Sequence, residues 1–587
     1  MNPIYQKHHF SLMWPDYEAG RAREQAMKTD EGRLFNQDIM ERDVNANMIL
    51  EGMEVRNEGR EYIISRISDM VTDEKTIFYR QSILKDFLKY PEIEIMANAD
   101  LLPLTMQLGR MEKTNLAHDD DVRKTVWRME LLKVYVQCVT VLERIFCTSS
   151  RTFDSEGLLK LRELISGITA DPAYHELVRL LPVLSDDIRS IQSVTLGINL
   201  DNELHPVESV LLSVSEKPIK RKGLLSNLFG TRTNEDRYYG IGTFYTILKD
   251  NSAGTLDAAI MRDLSSVMRD TFRHLAESLS RFERVESAFL FELMPEISFY
   301  IGGSHLVKKL RNAGLPMCFP TPLPMDARRF DVRDIYDVSF AIRVMSDTGI
   351  NKLDNVVVTN DFKMGDKEGR IGVLTGANQG GKTTITRALG LAQMMFQAGL
   401  PVAGTQGEIS PCDNIFTHFP ELEKNSVSEG RLGEECVRLE QILPKLTKYS
   451  MILMNESLSS TSHQECLFIA TEIMRYLRKI GARALFATHI HELAENIPEL
   501  NKEEGLSDMM SLVAGVDETH ELEVMTEQGI KKLKSGSKRT YKITPMPPQG
   551  RSFALDIART YGISFEQLLQ SHEEQTGGKE EAPAESN

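Results

Sequence analysis

The chain has 587 residues, more than one hydrophobic core accommodates, and this length predicts about four structural units. Hydrophobic residues make up 41% of it and charged residues 26%, which is the composition of a soluble globular protein and excludes a mostly disordered chain. Its 69 basic and 85 acidic side chains leave a net charge of −16, which excludes a uniformly basic nucleic-acid-binding surface. DNA would therefore have to contact local basic patches on an acidic protein.

Cysteine usage and hydropathy bear on where the protein resides. The six cysteines are scattered without a CxxC pair, which indicates neither a disulfide framework nor a zinc site and favours free thiols in a reducing cytosol. No apolar run approaches ~18 residues, and the first residues contain no signal-peptide core. We therefore expect a cytoplasmic protein that neither spans a membrane nor is secreted.

The first half of the chain changes its periodicity near residue 190. Over roughly the first 185 residues apolar positions recur every three or four residues and glycine is sparse, which predicts helices, most clearly over residues 122–146. From Val194 apolar and polar residues alternate strictly, and residues 207–214 continue apolar and β-branched. This pattern predicts a strand pair.

A basic loop rich in glycine, asparagine and tyrosine follows these strands and extends to residue 242. A β-rich insertion with such a loop, between long helices, is typical of a contact tip, and Tyr238 and Tyr239 offer stacking surfaces for bases. The alternative is a solvated hairpin without a ligand. The candidate DNA-binding residues are Lys220, Arg221, Lys222, Arg232 and Arg237.

Helical periodicity then resumes and continues to Pro295. At ~1.5 Å per residue, a helix from the middle 250s to this proline would span roughly 55 Å, a length that suits a lever between distant parts. An ordinary bundle helix broken by a kink is the alternative. From about residue 350 strand, loop and helix patterns alternate, which predicts an α/β domain with a largely parallel sheet.

The strongest motif lies in this last region. An apolar strand over residues 370–375 is followed by GANQGGKT and an amphipathic helix, which is GxxxxGK[ST] in its strand–loop–helix context. Loop N–H groups and the helix N-terminus would bind phosphates, Lys382 would reach the β- and γ-phosphates, and the Thr383 hydroxyl would ligate Mg²⁺. The predicted nucleotide-binding residues of this loop are Gly376, Ala377, Asn378, Gln379, Gly380, Gly381, Lys382, Thr383 and Thr384.

Two further strands deliver candidate catalytic residues. The strand over residues 451–454 ends in Asn455 and Glu456, where P-loop ATPases place a metal-holding carboxylate and a catalytic Glu. Because Asn455 is neutral, we expect weaker Mg²⁺ binding through water, with Glu456 as the catalytic carboxylate; a polar strand end without chemistry is the alternative. The strand over residues 484–488 delivers His489, which could sense a γ-phosphate or be merely structural. His491 and Glu492 follow it and could instead indicate a metal site.

A small-residue loop over residues 426–431 precedes another predicted helix. By itself it is a helix N-cap, with Ser428 as a plausible cap. Beside the other motifs, Ser428 and Gly430 acquire a second interpretation as phosphate-contacting residues.

These motifs together resemble the MutS family, whose ATPase belongs to the ABC superfamily. GANQGGKTT resembles the family's GPNxGGKST, MILMNESLSSTS its LVLMDExGRGTS, and ALFATHIHEL its LFATHYFEL. Residues 541–544 and 550–558 resemble its closing segment. The resemblance is strong over about 350–570 and weaker upstream. It implies that Ser428 and Gly430 contact ATP bound to an opposing subunit, and therefore a homodimer.

The resemblance also implies a fold class and a domain order. We expect a multidomain α plus α/β protein in which a helical core and lever with a small β-rich clamp insertion precede a P-loop ABC-type ATPase domain. The expected segments are a helical core (1–121), the first half of a lever (122–190), the clamp-like insertion (191–250), the returning long helix (251–294), the ATPase domain (295–570) and an acidic disordered tail (571–587).

Three departures from the family pattern qualify this interpretation. We expect neither the N-terminal mismatch-reading domain nor the small C-terminal nuclease domain of another branch. Where the family often has an adenine-stacking aromatic, this chain has Val357, so base recognition would be looser.

Two functions remain open. One is an ATP- and Mg²⁺-dependent clamp that binds DNA of branched or distorted shape. The other is a nucleotide-binding scaffold that acts through protein partners and scarcely hydrolyses ATP. The preferred DNA structure, the hydrolysis rate, the partners and the pathway are beyond the sequence.

Overall fold

A computed structural model describes residues 3–27, 29, 34–55, 57–114, 121–189, 193–200, 202–203, 206–215, 217, 269–377, 379–420, 431–458, 462–517, 521–526, 529–534, 538–548 and 563–576. The described residues divide into two compact units. Unit 1 draws on Met1–Phe10, Tyr90–Phe153 and Leu158–Met294, and unit 2 on Ser11–Lys89, Asp154–Gly157 and Pro295–Asn587. No helix of the described part is long and apolar enough to cross a membrane.

The α-helices, in chain order, are α1 (Tyr17–Ala26), α2 (Gln37–Asp43), α3 (Asn47–Gly52), α4 (Asn57–Ile67), α5 (Glu74–Lys89), α6 (Pro91–Met96), α7 (Leu102–Glu112), α8 (Asp121–Phe146), α9 (Glu156–Thr169), α10 (Pro172–Arg189), α11 (Arg269–Ser280), α12 (Ala288–Asn312), α13 (Val338–Thr348), α14 (Lys382–Gln397), α15 (Arg431–Ile442), α16 (His463–Ile480), α17 (His491–Glu495), α18 (Ile497–Leu500) and α19 (Phe565–Thr576).

The strands, in chain order, are β1 (Ser193–Leu200), β2 (Pro206–Ser215), β3 (Met317–Cys318), β4 (Thr321–Pro322), β5 (Phe330–Ile335), β6 (Asn360–Met364), β7 (Ile371–Gly376), β8 (Val402–Ala403), β9 (Gln406–Ile409), β10 (Ile415–His418), β11 (Met451–Asn455), β12 (Arg483–Ala487), β13 (Met509–Asp517), β14 (Glu521–Thr526), β15 (Gly529–Lys534) and β16 (Lys538–Pro545).

Unit 1 contains the predicted long helix and the predicted strand pair. Helix α8 covers the whole of the stretch expected to be helical, residues 122–146. Strands β1 and β2 pair antiparallel, with Ser193 opposite Ser215, so the alternating pattern was interpreted correctly. The basic loop beyond Lys217 lies outside the described residues.

The returning long helix is divided, which differs from the expected single helix over residues 251–294. Of that stretch the structure describes residues from 269 onward, where α11 ends at Ser280 and α12 begins at Ala288. The intervening turn buries Phe282 and Val285. Pro295, expected to end the helix, lies inside α12 between the buried Leu293 and Ile297. Proline removes one backbone hydrogen bond of the helix, and the packing of these two side chains offsets that loss.

The expected helical core over residues 1–121 is a second point of difference, because residues 11–89 belong to unit 2. Hydrogen bonds tie them to α14: Arg387 Nε donates to the Asp43 carbonyl at 2.9 Å, and Gln397 Nε2 donates to the Val71 carbonyl at 3.0 Å. Such contacts between distant segments leave no periodic signal in the sequence.

The end of the chain needs a smaller correction. Residues 571–587 were expected to be disordered, but α19 continues through Thr576. Residues 577–587 lie outside the described part.

The central sheet of unit 2 has the order β10-β11-β12-β7-β13-β16, in which the first five strands are parallel and β16 is antiparallel. The prediction of an α/β region with a largely parallel sheet is therefore confirmed. Every residue of β7, β11 and β12 is buried, as expected for central parallel strands covered on both faces. Their carboxyl ends meet at one edge of the sheet, where ligands of open α/β sheets bind.

Candidate functional site

The loop between β7 and α14 has a backbone that its glycines permit. Gly376 and Gly381 adopt φ values of 133° and 91°, in the left-handed region that favours glycine. A Cβ on Gly376 would lie 2.8 Å from the Cβ of Ala514, so the loop also packs too closely for a side chain there. Helix α14 begins at Lys382, and its N-terminal N–H groups face the loop.

Lys382 lies beneath this loop and is only 3% exposed. Its Nζ donates to the carbonyl oxygens of Gly376 at 3.0 Å and Ala377 at 3.2 Å. Burial lowers the pKa of Lys382 to about 8, an effect that the nearby charge of Glu456 opposes.

Thr383 and Asn455, the predicted Mg²⁺ pair, are in direct contact. The Thr383 hydroxyl donates to Asn455 Oδ1 at 3.0 Å, and Asn455 is 5% exposed at the end of β11. A hydroxyl and an amide oxygen fit an oxygen-ligated Mg²⁺. Neither carries a charge, so the donor set attracts a divalent cation less than a carboxylate would.

Glu456 and His489 meet where β11 and β12 end. Glu456 has φ 50° and its N–H donates to the Ala487 carbonyl at 2.8 Å. His489 Nε2 lies 3.1 Å from Glu456 Oε1 and 3.5 Å from Lys382 Nζ. The hydrogen bond from His489 lowers the pKa of Glu456, against a smaller opposing effect of burial.

His418 and Ser457, which the sequence analysis did not single out, brace this turn. The Ser457 hydroxyl donates to the His418 carbonyl at 3.0 Å and lies 2.6 Å from His418 Nδ1. Since the hydroxyl proton is used on the carbonyl, Nδ1 carries a proton and donates to Ser457 Oγ. The pair joins the ends of two neighbouring parallel strands, and this pairing could have been inferred only from the strand order.

A cavity of about 430 Å³ opens beside the loop. Its lining includes residues 379–384 and Glu456, together with apolar side chains such as Phe340, Val357 and Ala388. Val357, the predicted base-contacting residue, is 6% exposed in this wall. The cavity wall thus offers both polar and apolar groups to a ligand.

Two residues on β16 were missed as members of this site. Tyr541 lines the cavity, and a Cβ on Gly381 would lie 3.5 Å from its ring. Arg539 Nη1 donates to Gln379 Oε1 in the loop at 3.1 Å. The closing-segment motif around Tyr541 was the available signal, whereas nothing in the sequence pointed to Arg539.

Thr384, the last of the predicted loop residues, lies in the cavity wall. Of the predicted loop residues, Asn378 alone falls outside the described part. Glu492, which together with His491 suggested a metal site, lies 2.8 Å from His463 Nε2. The other predicted site residues outside the described part are Ser428, Gly430, Lys220, Arg221, Lys222, Arg232 and Arg237.

Comparison with known proteins gives two family matches. The MutS2 N-terminal domain matches residues 72–313, and MutS domain V matches residues 372–547. The chain is similar to proteins named DNA mismatch repair protein MutS from several organisms. That of Chlorobium limicola is 36% identical over 143 residues, 24% of this chain and 16% of that protein. That of Chlorobium phaeovibrioides is 30% identical over 229 residues, 39% of this chain and 24% of that protein.

A third such protein, from Finegoldia magna, is 30% identical over 207 residues, 35% of this chain and 22% of that protein. The matched segments therefore span less than a quarter of these relatives. The domain V match covers the loop, Asn455, Glu456 and His489, and the MutS2 match covers most of the helical part. The chain belongs to the MutS family.

Proposed function

We propose that this protein is a DNA-binding ATPase whose site is the loop and cavity described above. The observation that carries the proposal is the convergence of Lys382, Thr383, Asn455, Glu456 and His489 beside the loop and its cavity. The loop N–H groups and Lys382 bind the phosphates, and the apolar side chains of the cavity wall, Val357 among them, take the base. A bound Mg²⁺ would lie at Thr383 and Asn455 and stabilise charge on the phosphates.

In hydrolysis, Glu456 orients the attacking water and accepts its proton, because the hydrogen bond from His489 keeps the carboxylate ionised and therefore free to accept a hydrogen bond from that water. Lys382 moves from the carbonyls of Gly376 and Ala377 to the phosphate oxygens, which are stronger acceptors since they are charged. His489, whose side chain is 42% exposed, keeps its Nε2 proton on Glu456 and so holds that carboxylate in place beside the terminal phosphate.

A single-turnover measurement tests the enzymatic part. We expect Glu456→Gln to reduce the rate by at least about a hundredfold while nucleotide binding persists. Glu472→Gln, an exposed carboxylate on α16, is the matched control and should leave the rate unchanged.

The neutral Asn455 favours a second candidate function, a nucleotide-bound scaffold that acts through protein partners. The two functions differ in hydrolysis. A wild-type rate indistinguishable from that of Glu456→Gln, with either Mg²⁺ or Mn²⁺, would support the scaffold and exclude the ATPase.

We further propose that the protein is a homodimer in which the loop of Ser428 and Gly430 completes the site of the partner, and that it binds DNA by shape. The family membership and the basic residues after β2 support this proposal. Salt-titrated binding to linear, mismatched and branched duplexes, with and without ATP, tests it. Charge reversal at Lys220, Arg221 and Lys222 should reduce the slope of log affinity against log salt concentration by about two to three units.

Light scattering with and without nucleotide tests the proposed dimer.

A further inference from the structure

A second cationic side chain lies beside the phosphate-binding loop. Arg539, near the start of β16, donates to the side chain of Gln379 at 3.1 Å. Gln379 is a loop residue that lines the cavity. Because Gln379 is a neutral amide, this hydrogen bond does not neutralise the guanidinium charge.

Compared with the family pattern, the site lacks one negative charge, at the end of β11. Asn455 stands where the family pattern has aspartate, and its Oδ1 accepts from Thr383 at 3.0 Å. Asn455 is 5% exposed, so a carboxylate there would be poorly screened by water and would strongly repel a metal-free triphosphate. A divalent cation relieves that repulsion in a site with aspartate. Here position 455 adds no such repulsion, and the acidic group that remains beside the phosphates is Glu456, which is paired with His489.

We propose that this site binds a nucleoside triphosphate with little dependence on a divalent cation, because Lys382 and Arg539 supply the positive charge and Asn455 removes the competing carboxylate. The inference rests on the proposed function, since it concerns the same nucleotide. Arg539 exchanges the Gln379 amide for a phosphate oxygen, and such charge-assisted hydrogen bonds are roughly twice as strong as neutral ones.

Titration of the full-length protein with fluorescently labelled ATP, in parallel with Mg²⁺ and with EDTA, tests the inference. For the wild type we expect the Kd in EDTA to lie within about fivefold of that in Mg²⁺. Asn455→Asp should weaken binding in EDTA by about tenfold and binding in Mg²⁺ by less than about threefold.

Variants of Arg539 isolate its charge. Arg539→Gln should weaken binding in EDTA by about fivefold or more, whereas Arg539→Lys retains the charge and should keep most of the affinity. Lys542→Gln is the matched control on the same strand: Lys542 bonds the Thr359 carbonyl, and its removal should change neither Kd. Arg539 is only partly buried, so its variants should fold, which thermal unfolding verifies.

The outcomes separate this inference from the proposed function. Wild-type binding that requires Mg²⁺, or an affinity in EDTA that neither Asn455→Asp nor Arg539→Gln changes, would overturn the inference and leave the ATPase proposal standing. Absence of binding in both buffers would contradict the proposed function itself.

Discussion

His489 Nε2 lies 3.1 Å from the carboxylate of Glu456. The same nitrogen is 3.5 Å from the ammonium of Lys382, and one nitrogen cannot accept from Lys382 while it donates to Glu456. An ionised carboxylate only accepts hydrogen bonds, so the nitrogen donates to Glu456, and this donation lowers the pKa of that carboxyl group. His489 therefore carries its proton on Nε2 and keeps Glu456 ionised.

This relationship predicts a shift in the pH profile of hydrolysis. Removal of the hydrogen bond in His489→Ala raises the pKa of Glu456 toward its ordinary value. The acidic limb of the kcat profile should then move to higher pH by up to about one unit, since Glu456 is partly exposed. His463→Ala, which removes an exposed histidine bonded to Glu492, is the control. An acidic limb at the same pH in His489→Ala and wild type would show that His489 does not act on Glu456.

Lys382 predicts proton uptake on nucleotide binding. Its pKa in the empty site is about 8, and phosphate stabilises the charged form. Below pH 7 Lys382 is already charged, so nucleotide binding takes up little proton there. Near and above pH 8 nucleotide binding must protonate Lys382. The affinity for the nucleotide should therefore fall as the pH rises further. Calorimetry in buffers of different ionisation enthalpy should detect up to about one proton taken up near pH 9. Uptake equally large in Lys382→Met would assign the proton elsewhere.

Replacement of Ser457 should impair catalysis without impairing nucleotide binding. Glu456 and Leu458, on either side of it, have φ values of 50° and 66°, in the left-handed region that is costly for side-chain-bearing residues. The bonds between Ser457 and His418 hold this turn, so Ser457→Ala should lower kcat by about tenfold, leave the nucleotide Kd nearly unchanged and cost about 1–2 kcal/mol of stability.

The control for that variant is Ser462→Ala, which removes an exposed hydroxyl bonded to Glu465. A parallel loss of kcat and nucleotide affinity in Ser457→Ala would indicate general disruption of the site rather than misplacement of Glu456.

Glu296 predicts that unit 2 loses stability as pH rises. Burial raises its pKa to about 7, although Ser11 and the Leu12 N–H each donate to it at 2.6 Å. The folded pKa is above the unfolded value, so the folded state holds the proton more tightly. Stability should therefore fall from about pH 4.5 to about pH 7 by up to about 1.4 kcal/mol per pH unit and level off above.

Denaturant unfolding followed by fluorescence measures this effect. The chain has two tryptophans, and in a Trp127→Phe background the signal comes from Trp14, which is buried in unit 2. Glu296→Gln should flatten the fall between pH 5 and 7, whereas Glu472→Gln should not. A wild-type stability that rises over this range would contradict the assignment.

Local sequence patterns predicted most of the helices and strands, whereas the contacts that complete the site depend on residues far apart in the chain. Alternation revealed the strand pair, and the glycine-rich loop revealed the point where β7 meets α14, because both signals lie within a few residues. Arg539 and Gln379 are 160 residues apart, and His418 and Ser457 are 39 apart. Their contacts depend on strand order, which no periodicity encodes.

The break between α11 and α12 has a similar origin. The apolar spacing continues through Phe282, so the sequence is compatible with one helix, but the Glu286 N–H donates to the carbonyl of Ile4 at 3.0 Å. A segment from the far end of the chain thus fixes the turn.

The central claim is that the loop from Gly376 to Thr383 binds a nucleoside triphosphate, and equilibrium titration with labelled ATP measures it most directly. The account predicts saturable binding to the wild type, an affinity at least about tenfold weaker in Lys382→Met, and no change in Lys502→Met, whose side chain is exposed. Absence of saturable binding, or equal affinity in the wild type and Lys382→Met, would contradict it.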